Sequence, residues 1–248
     1  MNCAIIQPSY IPWRGYFHQI WKSDIFIFYD DVQYDKHGWR NRNRIKTAQG
    51  VRWLTIPVRK KGNVTQGIPI NEIQIDPTSS WAQAHWKTLQ QSYSKSPYFE
   101  RYAPILEEFY SARPEMLSDY VIDLTLALAR ELGIQHTRFL RSSELAIPGS
   151  RTARLVEILT HVGASHYISG PSARSYMEED LLAAANLTLE YMVYEYPEYE
   201  QLYPPYEWSV SVLDLLFMKG PDAGRYIWGD IAQQHVRLQR ADLTQDRM

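Results

Sequence analysis

The 248-residue sequence predicts an α/β protein with a mostly parallel, Rossmann-like sheet and a helical insertion in the middle. Two observations lead there. Short apolar, β-branched runs alternate with helical patterns at both ends of the chain, as strand–helix–strand units of one parallel sheet do. Between them, from Thr78 to Gly133, three helical stretches follow one another with no strand signal. The predicted layout is a sheet domain built from 1–77 and 134–248, with 78–133 as a helical insertion packed on it in a single compact unit.

Cys3-Ala-Ile-Ile is a short apolar strand that stops at Gln7-Pro8, and the chain restarts as a helix over 15–22 after a proline-bounded turn. In a parallel sheet such a loop lies at the carboxyl end of its strand, where open α/β folds bind ligands. The first turn of the following helix offers unpaired N–H groups and a positive dipole end, a seat for phosphate or carboxylate. Asp24-Ile-Phe-Ile-Phe-Tyr-Asp30 is apolar on both faces, which predicts a central strand. Further strands are expected over 52–58, with Pro57 marking an edge or an end, and over 70–75. The polar, glycine-punctuated stretch Lys60 to Gly67 predicts a mobile loop.

Thr78-Ser79-Ser80 supplies capping hydroxyls for a helix through about Tyr93. Pro97 suits the start of a second helix, and Glu115 to Leu132 carries the apolar stripe of a third, stopped by Gly133. Strand signals return over 137–140, followed by a helix over 151–161 and the run Tyr167-Ile168-Ser169-Gly170. A short helix near 178–185, a strand over 187–194 and an amphipathic helix over 211–219 complete the pattern.

Composition narrows the function classes. With 45% apolar and 22% charged residues the chain is ordinary globular protein. No apolar run approaches the roughly 18–20 residues of a spanning helix, and Met-Asn-Cys-Ala-Ile-Ile lacks a basic, signal-like start, so a cytoplasmic protein without membrane insertion is expected. The single cysteine excludes an internal disulfide, and Cys3 within a strand reads as a small buried hydrophobe. A formal charge of -2 argues against a broad footprint for duplex nucleic acid. Eighteen Tyr and eight Trp supply more ring surface than a core requires, which points to an aromatic-lined polar pocket.

Four segments carry candidate chemistry. In Trp39-Arg-Asn-Arg-Asn-Arg44, an extended backbone puts Arg40, Arg42 and Arg44 on one face and Asn41 and Asn43 on the other. Three guanidinium forks suit phosphate or carboxylate, and the carboxamides suit a sugar or amide; a solvated basic strand is the alternative. Ser169-Gly170-Pro-Ser172-Ala-Arg174-Ser175 follows a strand and opens a helix, the geometry of an anion nest, although capping alone accounts for Ser172. His18, Asp30 and Asp31 are the candidate proton-transfer groups, set against a packing role for His18 and turn capping or magnesium binding for the carboxylates. The histidines lack the spacing of a metal site, so no structural metal is expected. Ser211 and Asp214 have capping-box spacing; an inward Asp214 needs a partner, one option being an arginine of 40–44.

Gln7-Pro8-Ser-Tyr10-Ile-Pro12-Trp13-Arg-Gly15-Tyr16-Phe17, Asp30-Asp31-Val-Gln33-Tyr34, Trp39-Arg-Asn41-Arg42-Asn43, Tyr167-Ile168-Ser169-Gly170 and Leu213-Asp214-Leu-Leu-Phe217-Met-Lys-Gly220 closely resemble the WbqC-like family. The resemblance covers nearly the whole chain. It implies a place in O-antigen or surface-polysaccharide biosynthesis and a glycine or other aminoacyl transferase activity. A fold-level similarity links the first loop and the 169–175 motif to nucleotidylyl transferases and pantothenate synthetases. Those enzymes carry His-x-Gly-His where this chain has Trp13-Arg14-Gly15-Tyr16.

The leading expectation is therefore acyl or aminoacyl transfer to an amine or hydroxyl of a nucleotide-linked sugar. Arg40, Arg42, Arg44 and the helix starts would hold phosphates. Gln33, Tyr34, Asn41 and Asn43 would hold the sugar, with Gln7, Tyr10, Trp13, Gly15, Tyr16, Trp39, Ser169, Gly170, Ser172 and Arg174 completing the site. The alternatives are an adenylate-forming ligase using ATP with magnesium, and a non-catalytic sugar-binding or scaffold protein. A charged tRNA is a further option as acyl donor.

Overall fold

The computed structural model describes residues 1–36, 38–59 and 67–229. His37 and residues 60–66, most of the loop expected to be mobile, lie outside them. Five parallel strands form the main sheet: β1 (Asn2–Ile6), β2 (Ile25–Phe28), β5 (Arg138–Arg141), β6 (His166–Ser169) and β7 (Thr188–Tyr191), in the order β5-β2-β1-β6-β7. Counted along the sheet strands alone, this is the 3-2-1-4-5 order of a doubly wound Rossmann-like fold. The predicted centrality of 24–30 holds, since β2 lies between β5 and β1 and all four of its residues are buried.

Strand alternation sorts the two cores. Ala4, Phe26 and Phe28 point to one face and pack with α1 (Arg14–Lys22), α4 (Leu117–Glu131) and α8 (Val212–Lys219). Cys3, Ile5, Ile25 and Ile27 point to the other and pack with α6 (Arg151–His161) and α7 (Glu179–Ala184). The larger core also takes in α2 (Trp81–Tyr93) and α3 (Phe99–Ser111). Asp119 in the first turn of α4 and Arg130 in its last complement the helix dipole, and Gly133 follows the helix at φ 79°. The hydroxyl of Ser80 does not cap α2; Thr78 instead closes a turn on Asp76 Oδ1 through its backbone N–H and hydroxyl.

Two strand expectations change. The 52–58 run is the second strand of an antiparallel hairpin, β3 (Arg42–Thr47) with β4 (Gly50–Thr55), separate from the main sheet. The 70–75 run is a short 3-10 turn, Ile70–Glu72, with isolated bridges at Gln74 and Ile75. The N–H groups of Ile70 and Asn71 donate to Val32 and Asp30 in the loop after β2, and those of Glu72 and Ile73 turn back to Pro69 and Ile70, so no ladder continues.

The α8 helix carries a buried acid. Ser211 caps it, accepting from the N–H of Leu213, but Asp214 does not close a capping box. It faces inward and accepts from Tyr93 and Tyr199 hydroxyls at 2.9 and 2.8 Å and from Gln201 Nε2 at 2.9 Å. Those three donors, not an arginine of 40–44, are its partners. Burial pushes its carboxyl above the ordinary range against the pull of these hydrogen bonds. Replacing it strands two buried phenols, so Asp214→Ala is expected to lower unfolding free energy by about 3 kcal/mol or more, measured by urea denaturation.

Candidate functional site

The chain reverses its direction of travel across the sheet between β1 and β6, and ligands of open α/β folds bind outside the carboxyl ends of strands at such a point. A cavity of about 1570 Å3 opens there. Its floor is Ile5, Ile6 and Gln7 at the end of β1 and Ser169 and Gly170 at the end of β6. One wall stands over each face of the sheet. Trp13, Tyr16 and Tyr194 belong to or pack on the larger core, whereas Tyr29, Leu155 and Tyr167 belong to or pack on the smaller one.

The loop between β1 and α1 is held open by specific contacts. Gly15 admits the Trp13 indole across the first helical turn, because a Cβ there would lie 2.3 Å from that ring. Trp13 meets Tyr194 and Trp208 edge-on at 4.9 and 5.9 Å, and all three rings line the cavity. Tyr16 donates its hydroxyl to Gln7 O at 3.2 Å and is also in the wall. Tyr10 is not: its hydroxyl meets His85 Nδ1 at 2.9 Å and Tyr110 at 2.5 Å inside the core. Arg14, also outside the cavity lining, is tied to Pro197 O and the Tyr206 hydroxyl at 2.9 and 2.7 Å.

In the Arg/Asn run the expected alternation is present, with Asn41 and Asn43 buried and Arg42 and Arg44 half-buried on the opposite face. Asn43 donates to the carbonyls of Tyr10 and Ile11 at 3.1 and 2.9 Å. Ile11 has φ 35°, a strained conformation for a β-branched residue, so this carboxamide clamps a turn the loop would otherwise relax. Asn41 donates to Ile56 O at 2.7 Å across the hairpin and does not reach the cavity. Arg40 and Arg44 line it together with Trp39. The Arg44 guanidinium lies 5.6 Å from both Trp39 and Trp53 and donates to the Ser209 hydroxyl, while Arg42 stacks on Trp53 at 4.7 Å outside the wall. Burial pulls Arg40 below the ordinary guanidinium range.

The two adjacent carboxylates have different surroundings. Asp30 is fully buried and accepts from the Ser143 N–H and hydroxyl at 3.0 and 2.9 Å, holding the start of the short helix α5 (Ser142–Leu145). Asp31 is in the cavity wall and pairs with Arg154 at 2.5 Å, with the Ser142 hydroxyl 2.6 Å away. Burial pushes its carboxyl up, but the hydrogen bonds from Arg154 and Ser142 prevail and hold it below the usual range. Gln33 lines the cavity, and Tyr34 is buried beside it with its backbone N–H on Ile68 O.

His18 lies outside the wall, with Nδ1 at 3.0 Å from the Tyr196 hydroxyl. Burial, reinforced by Lys22, pushes its imidazole down to about 4. Ser169, Gly170 and Ser172 line the cavity. The segment that holds Ser172 is a 3-10 turn, Pro171–Ser175, rather than the opening of a helix, and Arg174 stacks on Tyr191 at 4.6 Å outside the wall.

Several wall residues escaped the sequence reading. Gly149–Thr152 and Arg154 around the start of α6, Tyr29, Gln19, Tyr194 and Trp208 all contribute. The i, i+3 spacing of Tyr16 and Gln19 on one helix face was a readable signal, whereas Arg154 joins Asp31 only through folding.

Fold and cavity together define a Rossmann-like α/β protein with a cavity at its topological switch point. Residues 7–226 match the WbqC-like protein family, and the chain belongs to that family. It is 42% identical over 226 residues to the uncharacterized protein Rv1507c of Mycobacterium tuberculosis, covering 90% of this chain and 96% of that one. No solved structure matches it. No described helix is long and apolar enough to cross a membrane.

Two outcomes follow from these contacts. Asn43→Ala releases the Ile11 turn and is expected to cost about 2 kcal/mol, visible in thermal denaturation. Burial holds His18 and His85 near 4, below the ordinary histidine value, so the unfolded chain binds more protons in between. Stability should accordingly be fully present above about pH 6.5 and fall as pH drops toward 4, read as a declining melting temperature.

Proposed function

We propose that this protein transfers an acyl or aminoacyl group, glycyl included, to an amine or hydroxyl of a nucleotide-linked sugar in surface-polysaccharide biosynthesis. The observation that carries the reading is a set of donors without acceptors. The Nε–H groups of Arg40 and Arg44 and the Nε2 group of Gln19 are buried and have no hydrogen-bond partner among the described residues, and all three residues belong to the cavity wall. Each such donor costs about 1–3 kcal/mol, a cost that acceptor oxygens of a ligand would offset. Phosphates and sugars are rich in such oxygens, and Trp13, Trp39 and Trp208 offer ring faces for a base or a sugar.

In this reading the nucleophile of the sugar attacks the carbonyl carbon of an activated acyl ester, such as an aminoacyl group on a charged tRNA. The bond to the carrier oxygen breaks, the carrier leaves with the electron pair, and the proton lost by the nucleophile passes to the carrier oxygen. Of His18, Asp30 and Asp31, Asp31 alone stands in the wall. Adenylation with ATP and magnesium is a second reading favoured by the strand order alone. It predicts pyrophosphate release with a carboxylic acid, and silence across an amino-acid panel counts against it.

The test is thermal denaturation with a panel of nucleotide sugars. A specific ligand at about 100 times its Kd should stabilise the protein by about 2.7 kcal/mol. Arg44→Ala and Arg40→Ala should each weaken binding about tenfold or more. No shift with any nucleotide or nucleotide sugar would sink the proposal.

A further inference from the structure

The arginines do not account for one feature of the wall. Gln19 is 4% exposed, one turn along α1 from Tyr16, and lines the cavity from the same helix face. Tyr194 donates its hydroxyl to Gln19 Oε1 at 3.0 Å, which sets the carboxamide and leaves Nε2 with two N–H groups and no acceptor. The Tyr194 hydroxyl oxygen also lies 3.8 Å from the point where a Cβ on Gly170 would sit. Gln19 is therefore anchored beside the end of β6, at the switch point itself. The larger core around it is built from Phe17, Ile20 and other apolar side chains, among which an unpaired amide contributes nothing to packing.

We propose that Gln19, positioned by Tyr194, binds an sp2 oxygen on the sugar of the bound ligand: the carbonyl of an acylamino substituent or a carboxylate. This rests on the nucleotide-sugar reading above. With one lone pair of Oε1 engaged by Tyr194, the unmet hydrogen-bonding capacity of the amide is that of its Nε2 donors. The neighbouring Trp13 indole, which meets Tyr194 edge-on at 4.9 Å, brings no acceptor for the proton of a sugar hydroxyl. An oxygen that carries lone pairs and no hydrogen matches this set. A site that presents buried polar groups to one substituent discriminates against analogues that leave them unpaired.

Calorimetric titration with three ligands tests the subsite: UDP-N-acetylglucosamine carries the amide carbonyl, UDP-glucuronic acid the carboxylate, and UDP-glucose hydroxyls alone. One of the first two should bind wild-type protein about tenfold more tightly than UDP-glucose, as expected for a hydrogen bond to a desolvated donor. Gln19→Leu should narrow that gap to less than twofold, and Gln19→Glu, which puts acceptors where donors stood, should cost the preferred sugar more than Gln19→Leu does. Tyr194→Phe keeps Gln19 but frees its carboxamide, and it should narrow the gap as well, which provides a reading if the Gln19 variants fold poorly. Equal affinity for all three ligands, or a gap that survives both Gln19→Leu and Tyr194→Phe, overturns the subsite while leaving nucleotide-sugar binding intact. If no nucleotide sugar binds wild-type protein at millimolar concentration, the nucleotide-sugar reading fails and takes the subsite with it.

Discussion

The carboxamide of Asn43 reaches across from the hairpin to the carbonyls of Tyr10 and Ile11, and the shape of the cavity depends on that clamp. Ile11 sits at positive φ, where a β-branched residue is strained, so the turn persists only while its surroundings hold it. Two further ties converge on the same place. The N–H of Ser211 donates to Arg44 O, and that of Val212 donates to Pro12 O, so the start of α8 is joined to both the hairpin and the loop. Trp13 pairs with Ser211 in an isolated bridge immediately beside them. Loop, hairpin and α8 therefore behave as one frame, and Trp13, Arg44 and Trp208 are presented from it.

The sheet supplies the other constraint. Alternate residues of β1 and β2 feed cores on opposite faces, so the strand ends carry a wall on each side. The two walls differ chemically. Over the smaller core, Asp31 and Arg154 satisfy each other. Over the larger core, Gln19, Arg40 and Arg44 keep donors without acceptors. That asymmetry gives the cavity a direction, with its unmet hydrogen-bonding capacity on the side of the tryptophans.

Where local chemistry was decisive, the sequence was legible. Continuous apolarity over 24–30 marked a buried central strand, and the parallel Rossmann-like class followed from the alternation of elements. The period-two pattern of Arg42, Asn43 and Arg44 correctly put the arginines and the asparagine on opposite faces, and the structure buries the asparagine face. Legibility failed where backbone donors found distant partners. The 70–75 run has strand composition, yet the N–H groups of Ile70 and Asn71 go to the loop after β2 and those of Glu72 and Ile73 close a 3-10 turn. Asp214 has capping-box spacing, but its carboxylate serves Tyr93, Tyr199 and Gln201 instead. Arg174 stands in a polar motif and yet stacks on Tyr191.

By itself the sequence determined the class of fold, the place of the loop after the first strand at the carboxyl end of the sheet, and the family, because these rest on periodicity and on contiguous motifs. Only the tertiary structure decided which polar side chains face the crevice. Asn41, Asn43 and Asp30 carry chemistry suited to a ligand, yet each is engaged by a backbone or hydroxyl partner of its own fold. Gln19 signalled itself only by its spacing from Tyr16 on α1, yet its amide has donors with no partner among the described residues. The reason is that a polar group's role depends on which partners three-dimensional packing brings within hydrogen-bond reach, and those partners are 15 to 175 residues away along the chain.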